Sequence, residues 1–553
     1  MTRPRCLLVL SCVAAACWNA GCGDATPPAF SAAPSIATNP NPAVPLAAIV
    51  SAETDEPSAL LITVSDGEHE WTVPVSPELG TRHSLPVLGF RPGREHRLQV
   101  SARDAAGNVT AAVPLVFETS PLPEDFPSFH VSVSEPDRME PGVTFFSLMR
   151  WPDGGIEDDS FGLAVALDAQ GEVVWYRRSD KAFADPHRMA NGNLLTMIGN
   201  NRAEEVDMLG NVVSRWHASR HPNPEANAEV PEGSIPVATE TFHHDIQEMP
   251  SGNLLVLSTE MRRIADYPTA VGDDTAPKAA ANVIGDVVVE FARDGSIVNE
   301  WKLMDLLDVR RLGYDSLGAV WDQWAYVDVE GGTKDWAHGN SVSYDADTDS
   351  ILVSLRHQEA VISLSRERGQ LNWILGTHEG WGERWAPYLL EPEGDVEWQY
   401  HQHAAKTTAS GSLLLFDNGN FRAMPPHPQM DVGDSYSRAV EYAIDPAAKT
   451  VRQVWSYGGP DDEIFYSPFI SEADQLPRTG NVLITDGGRV RDQHGLPSAN
   501  IVGDHHWARI VEVTHDDHPD KVFELTVDSN DAEDAIGWAI FRSERLPSLY
   551  GDR

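Results

Sequence analysis

Three histidines and one arginine stand at a fixed distance from turns, and together they suit the stabilisation and transfer of an anionic group. In "HGNSVSYDADTDSILVSLRHQ", residues 338–358, His338 lies seven residues before Asp345 and Arg356 lies seven after Asp349. Residues 345–349 are a polar turn between two alternating apolar runs, so a hairpin brings His338 and Arg356 to one end of a sheet. The same seven-residue count back from a turn gives His244 before Ser251 in "HHDIQEMPSG" and His403 before Ser410 in "HQHAAKTTASG". The slots equivalent to Arg356 on the other return strands hold Thr259 and Asn418, which are expected to line the same mouth. In a fourth hairpin the seven-back slot holds Glu472. His243 and His401 neighbour the phased histidines and are expected to point away, because successive strand residues alternate faces. His187, His217, His221, His505 and His506 fall off the phase and read as structural.

Three imidazoles beside a guanidinium suggest covalent transfer more than metal binding. Neutral imidazole is a common ligand, but a fixed cation beside a bound cation is unfavourable. There is no HExxH, and "DADTDS" departs from a calcium loop at its sixth position (Ser350) and its twelfth (Arg356). A histidine can instead act as nucleophile. An arginine presents a forked, permanently charged donor to tetrahedral oxyanions, and a second imidazole can carry protons. Phosphoryl and sulfuryl transfer both use this set. Phosphoryl transfer usually recruits magnesium, whereas a sulfuryl group carries one charge less. No metal or other cofactor is therefore expected. Two rivals stand beside this reading: a metalloenzyme ligated by the three histidines, and a non-catalytic binding or scaffold protein at the cell surface.

The elements that must position these residues are β-strands. The strand–turn–strand unit ending in an aromatic recurs six times, as "AVALDAQGEVVWY", "AEEVDMLGNVVSRW", "VVEFARDGSIVNEW", "VISLSRERGQLNW", "VEYAIDPAAKTVRQVW" and "IVEVTHDDHPDKVFEL". A second hairpin type alternates with it, as in "MANGNLLTM" and "QEMPSGNLLVL". Two hairpins make a four-stranded blade, and about six such units in series predict a six-bladed β-propeller over 125–553. Spacing between repeats leaves room for insertions, one starting at "KLMDLLDVRRLG". Short alternating runs over 46–124 predict a small β-sandwich resembling a fibronectin type III module. Pro-, Ala- and Ser-rich residues 23–45 read as a flexible tether. The net charge of -42 makes nucleic acid an unfavourable partner.

In combination, "FHHDIQEMPSGNLLVL", "DWAHGNSVSYD", "LRHQ", "YHQHAAKTTASGSLLLFDNG" and "GNVLITDGG" resemble the bacterial arylsulfotransferase family, the PAPS-independent group of exported six-bladed propellers. The resemblance covers about residues 125–553. It implies ping-pong transfer of a sulfuryl group from a phenolic sulfate ester to a phenol. His403 would be the nucleophile and form a sulfohistidine, while His338 and Arg356 would hold the sulfuryl group. His244, more than His243, would be the remaining histidine. It leaves a homodimer open. The aromatic-rich "GWGERWAPYLLEPEGDVEWQY" offers Trp381, Trp385 or Tyr388 as a phenol-binding wall.

All four cysteines, Cys6, Cys12, Cys17 and Cys22, lie in "MTRPRCLLVLSCVAAACWNAGC". A basic start, a short apolar stretch and small residues before a cysteine read as an export signal, 1–22, too short for a stable span. "NAGC" resembles a lipobox, with Cys22 as the lipidated residue and "AAAC", ending at Cys17, as the rival. The expected protein is periplasmic or at the cell surface and touches the membrane through a lipid anchor only. Cys22→Ala should therefore move it from the membrane fraction to the soluble fraction on fractionation. Unchanged retention would show that the anchor lies elsewhere.

Overall fold

The computed structural model describes residues 26–75, 78–152, 157–273, 275–460, 462–529 and 536–551. The signal-like segment with Cys22 falls outside these residues. Among the described residues no helix is long and apolar enough to cross a membrane.

The N-terminal unit is a seven-stranded sheet built on one long strand, Ala47–Ser65. Alternation places Leu60, Ile62 and Val64 of this strand in the interior, with Leu98, Val100 and Ala102 from its neighbour Glu95–Asp104. The tether expected over 23–45 is corrected in part, because Phe30–Thr38 is a strand paired with Ala47–Ser65. Only Pro34 within it is buried. An edge strand held by its backbone ladder needs no apolar alternation, so periodicity could not reveal it, and an edge tolerates proline.

The larger unit holds six sheets of four or five strands among the described residues. Their innermost strands are Ile536–Leu546, Phe183–Arg188, His243–Glu248, Gly339–Asp345, His403–Thr407 and Glu472–Gln475. They lie side by side in that order, and the last adjoins the first. This is the arrangement of a β-propeller. Two strands close it. Ile536–Leu546, from the C-terminal end, pairs with Val143–Pro152 in the first sheet. Phe129–Ser134 pairs with Lys521–Val527 at the outer edge of the sixth.

The recurring aromatic explains how the sheets stack. Trp175, Trp216, Trp301, Trp373 and Trp455 each pack into a different apolar cluster. Three of them also donate an indole N–H to a turn carbonyl of the next sheet: Trp175 to Met208 at 2.9 Å, Trp216 to Arg293 at 2.9 Å and Trp455 to Asp516 at 3.2 Å. These three indoles thus bury their rings and satisfy their one donor.

Closure carries an energetic test. Ile540 is fully buried on the C-terminal strand opposite Leu148. Ile540→Ala should destabilise the protein by about 2–5 kcal/mol, read from the denaturant midpoint. A midpoint equal to the wild type's would mean that this strand does not lock the ring.

Candidate active site

The hairpin at 338–358 folds as its turn demands. Gly339 pairs with Leu355, and Arg356 N–H donates to the His338 carbonyl at 3.1 Å. Arg356 opens a short 3-10 turn, Arg356–Gln358, capped by left-handed Glu359. The other histidines arrive from adjacent inner strands. The His244 and His338 ring centroids lie 4.7 Å apart, and those of His244 and His403 lie 6.4 Å apart. The buried Phe541 ring touches two of them, at 5.9 Å from His403 and 6.3 Å from His244.

Backbone irregularity does the aiming. Five of the six inner strands carry a register shift, at Ala184/His187, His243/Ile246, Gly339/Ser341, His403/Lys406 and Ile540/Ser543. Bulges redirect side chains that strict alternation would send elsewhere. The expectation of one common phase is therefore corrected. His244 itself is left-handed (φ 58°), His403 precedes left-handed Ala404 (φ 55°), and His338 (φ 52°) stands one residue ahead of its strand. Asp315, Glu359 and His401 are left-handed as well. Each such residue costs about 1–2 kcal/mol, and a concentration of them marks a functional site.

Each imidazole has a defined electrostatic setting. His243 Nε2 lies 3.0 Å from the Ser258 carbonyl, which only accepts, so this nitrogen carries the proton. Its Nδ1 then accepts from His244 Nδ1–H at 2.9 Å, leaving the His244 Nε2 lone pair uncommitted. His243 is thus the brace and His244 the site residue. Burial lowers His243 to about 4. Burial, then His338, His243, His403 and Arg542, holds His244 well below its ordinary value. His338 Nδ1 is 2.6 Å from Asp335 Oδ2, and Trp321 Nε1–H donates to Asp335 Oδ1 at 2.9 Å. Burial alone would raise the Asp335 carboxyl, but facing His338 and His357 hold it at about 2.

His403 has no such partner. Its Nδ1 is buried without a hydrogen bond. Burial, followed by the fields of Arg542, Arg356 and His338, keeps it well below the usual imidazole value. It is therefore neutral at pH 7, as a nucleophile requires. Arg356 is tied to Asp315 Oδ2 at 3.4 Å and to the Pro468 carbonyl at 3.2 Å.

The structure thus brings together His244, His338, Arg356 and His403. It does not bring in the three residues expected to bind substrate. Asn418 commits its amide to the carbonyls of Ser467 (2.8 Å) and Ile470 (3.0 Å). Thr259 is buried between Thr241 and the Tyr326 hydroxyl. Trp381 lies 4.3 Å from the Arg311 guanidinium, half-buried and packed against an apolar core cluster. Glu472 is buried against Lys406 and faces Arg542. His187 is structural, held by Asp185 at 2.8 Å and Glu544 at 3.1 Å.

Sequence reasoning missed four contributors. Asp335 had a signal, three residues before His338 in "DWAH". Asp315 and Trp324 sit on the insertion after the third sheet, and nothing local announces where it folds back. Arg542, on the last strand, is buried between Asp185 (2.6 Å) and Asp245 (3.0 Å) and donates to the Asn340 carbonyl at 3.0 Å. Among the described residues, the groups with ligand-like spacing combine histidine with carboxylates, such as Asp335 with His338 and His357, and the trio His244, His338 and His403 is not one of them.

Comparisons with known proteins agree with the motifs. The profile of the family described as Arylsulfotransferase (ASST) matches residues 130–538, and that of the arylsulfotransferase Ig-like domain matches 35–117. The curated arylsulfate sulfotransferase AssT of Escherichia coli O6:H1 (strain CFT073) is 29% identical over 369 residues. That of Lelliottia amnigena is 27% identical over 373. In both cases the match spans 58% of this chain and 56% of the relative. A solved Bacteroides caccae protein covers 72% of this chain and 93% of its own, with 13% identity and a TM-score of 0.31. BamB from Moraxella catarrhalis covers 78% and 93%, with 10% identity and a TM-score of 0.26.

His401 gives this region a pH signature. It is fully buried, with Nδ1 2.7 Å from Glu359 Oε1 and Nε2 3.3 Å from Asp315 Oδ2. Burial opposes charge, but Glu359 and then Asp315 outweigh it and raise the imidazole above its ordinary value. A raised folded-state value means stability that is fully present below the unfolded value of about 6.5 and lost as pH climbs through the folded one. His401→Gln should therefore lose most stability at acidic pH, with the deficit shrinking as the solution is made alkaline. Equal deficits in denaturation series across that range would show that His401 is not a buried cation.

Proposed function

The chain belongs to the arylsulfotransferase family, and on that premise we propose that it transfers a sulfuryl group from a phenolic sulfate ester to a phenol by a ping-pong route through His403. The observation that carries this reading is the convergence of a neutral, buried imidazole with Arg356, His244 and His338 at one end of the ring.

In the first half-reaction the neutral His403 attacks sulfur. The nitrogen–sulfur bond forms as the bond from sulfur to the phenolic oxygen breaks. Arg356 holds sulfuryl oxygens, where a forked donor matches the geometry. The departing phenolate takes a proton from His338, whose imidazolium form the Asp335 carboxylate stabilises. In the second half the acceptor phenol returns a proton to His338. Its oxygen attacks sulfur, and the bond to His403 breaks. His244, whose uncommitted Nε2 lone pair can only accept, is placed to receive the hydroxyl hydrogen bond of the incoming phenol. We also place the protein outside the cytoplasm, anchored through Cys22, a reading that rests on the signal-like N-terminus alone.

Incubation with a phenolic sulfate and no acceptor should leave protein heavier by one SO3 group, with mass taken at neutral or alkaline pH because a sulfur–nitrogen bond to imidazole is acid-labile. His403→Ala should abolish adduct and turnover together. Arg356→Lys should retain activity reduced by about a hundred- to a thousandfold. An adduct that survives His403→Ala and disappears in His401→Ala would move the nucleophile two residues. Active enzyme with no adduct would mean direct transfer between bound donor and acceptor. Silence across a broad panel of aryl sulfates and phenols would favour a scaffold, and stoichiometric iron or zinc would favour the metalloenzyme.

A further inference from the structure

The geometry points to Trp324 as the aryl-binding wall of this site, the residue that selects aromatic over aliphatic sulfate esters. This assignment rests on the sulfotransferase reading above. Trp324 lies on the insertion between the third and fourth sheets, where the helical turn Trp321–Trp324 sets two indoles three residues apart on one face. They meet edge to face at 5.5 Å. Trp321 is buried and donates to Asp335, the carboxylate that orients His338. Trp324 is 40% exposed, yet it is not a stray surface apolar residue. Its ring lies 5.7 Å from His244 and 6.1 Å from His338, tilted by 49° and 50°. Asn200 donates to its backbone carbonyl and holds the turn in place.

The position has a chemical consequence. Phe541 is buried beside His244 and His403, whereas Trp324, beside His244 and His338, keeps 40% of its surface exposed. A phenolic ester whose ring packs on that indole carries its bridging oxygen toward His338 and its sulfur toward His403, the order the transfer requires. An aliphatic sulfate offers the same anion to Arg356 and nothing to the indole. Aromatic packing contributes beyond simple area burial, so the aryl-dependent part of affinity should hinge on this one side chain. Trp381, expected to serve this role, spends its ring on Arg311 instead.

Binding is best measured without turnover, by calorimetry in the His403→Ala background, with phenyl sulfate and methyl sulfate as the two probes. Adding Trp324→Ala should weaken phenyl sulfate about tenfold and leave methyl sulfate unchanged. Trp324→Phe should restore most of the loss, and equal melting temperatures would show that the fold is intact. Phenyl sulfate binding unaltered by Trp324→Ala, or both probes weakened alike, would overturn the assignment. Turnover of phenyl sulfate by the unaltered chain separates the two readings. Binding that depends on Trp324 but leads to no transfer would uphold the wall and overturn the transferase. No binding of phenyl sulfate at all would overturn both.

Discussion

Charge buried at the centre of a protein must be either neutralised or paired, and this constraint governs the inner end of the ring. Desolvation disfavours every charged imidazole there, by an amount that can reach several pKa units for a fully buried group. The carboxylates decide which imidazoles escape. Asp335 faces His338, Glu359 and Asp315 face His401, and Asp185 with Asp245 takes up Arg542. No carboxylate faces His403 or His244 in this way among the described residues; cations are their charged neighbours. One region thereby holds a neutral imidazole, His403, and a carboxylate-backed one, His338. Removing a carboxylate would do more than delete a contact, because it would leave an uncompensated buried charge.

The fold makes that distribution affordable. Left-handed backbone at His244, His338, Glu359 and His401 is unfavourable at each residue. It persists because neighbouring inner strands over-determine it. Val342 N–H donates to Asp245, Asn340 donates to the Gln402 carbonyl, and Gly339 N–H donates to Asp286. These hydrogen bonds cross from sheet to sheet, so the site depends on the ring being closed. The terminal strand that closes it also carries Phe541 and Arg542 into the centre. Closure and chemistry share one element.

Much of this was legible in local sequence, for a physical reason. A hairpin fixes its own ends, so counting from the turns found His244, His338, Arg356 and His403. The tryptophan that ends five of the six outer hairpins reported the stacking of sheets, because each such indole packs into an apolar cluster of its own. What failed was anything that depends on register or on distant chain. Thr259 and Asn418 hold the slots equivalent to Arg356 when counted from their turns, but their polar atoms are committed to neighbouring segments. Asp315 and Trp324 come from an insertion whose return is set by tertiary packing, and Arg542 comes from a strand about two hundred residues beyond the hairpin it serves. The edge strand Phe30–Thr38 has almost no buried face to read.

The central claim is that His403 is neutral at physiological pH because burial and the fields of Arg542 and Arg356 leave its proton nowhere favourable to sit. Nitrogen-15 NMR of histidine-labelled protein tests this directly, with His403→Ala identifying the resonance. The expected result is a neutral His403 imidazole throughout the pH range in which an ordinary imidazole, with a value of about 6.5, takes up its proton. A His403 signal that titrates alongside the exposed histidines would contradict the account.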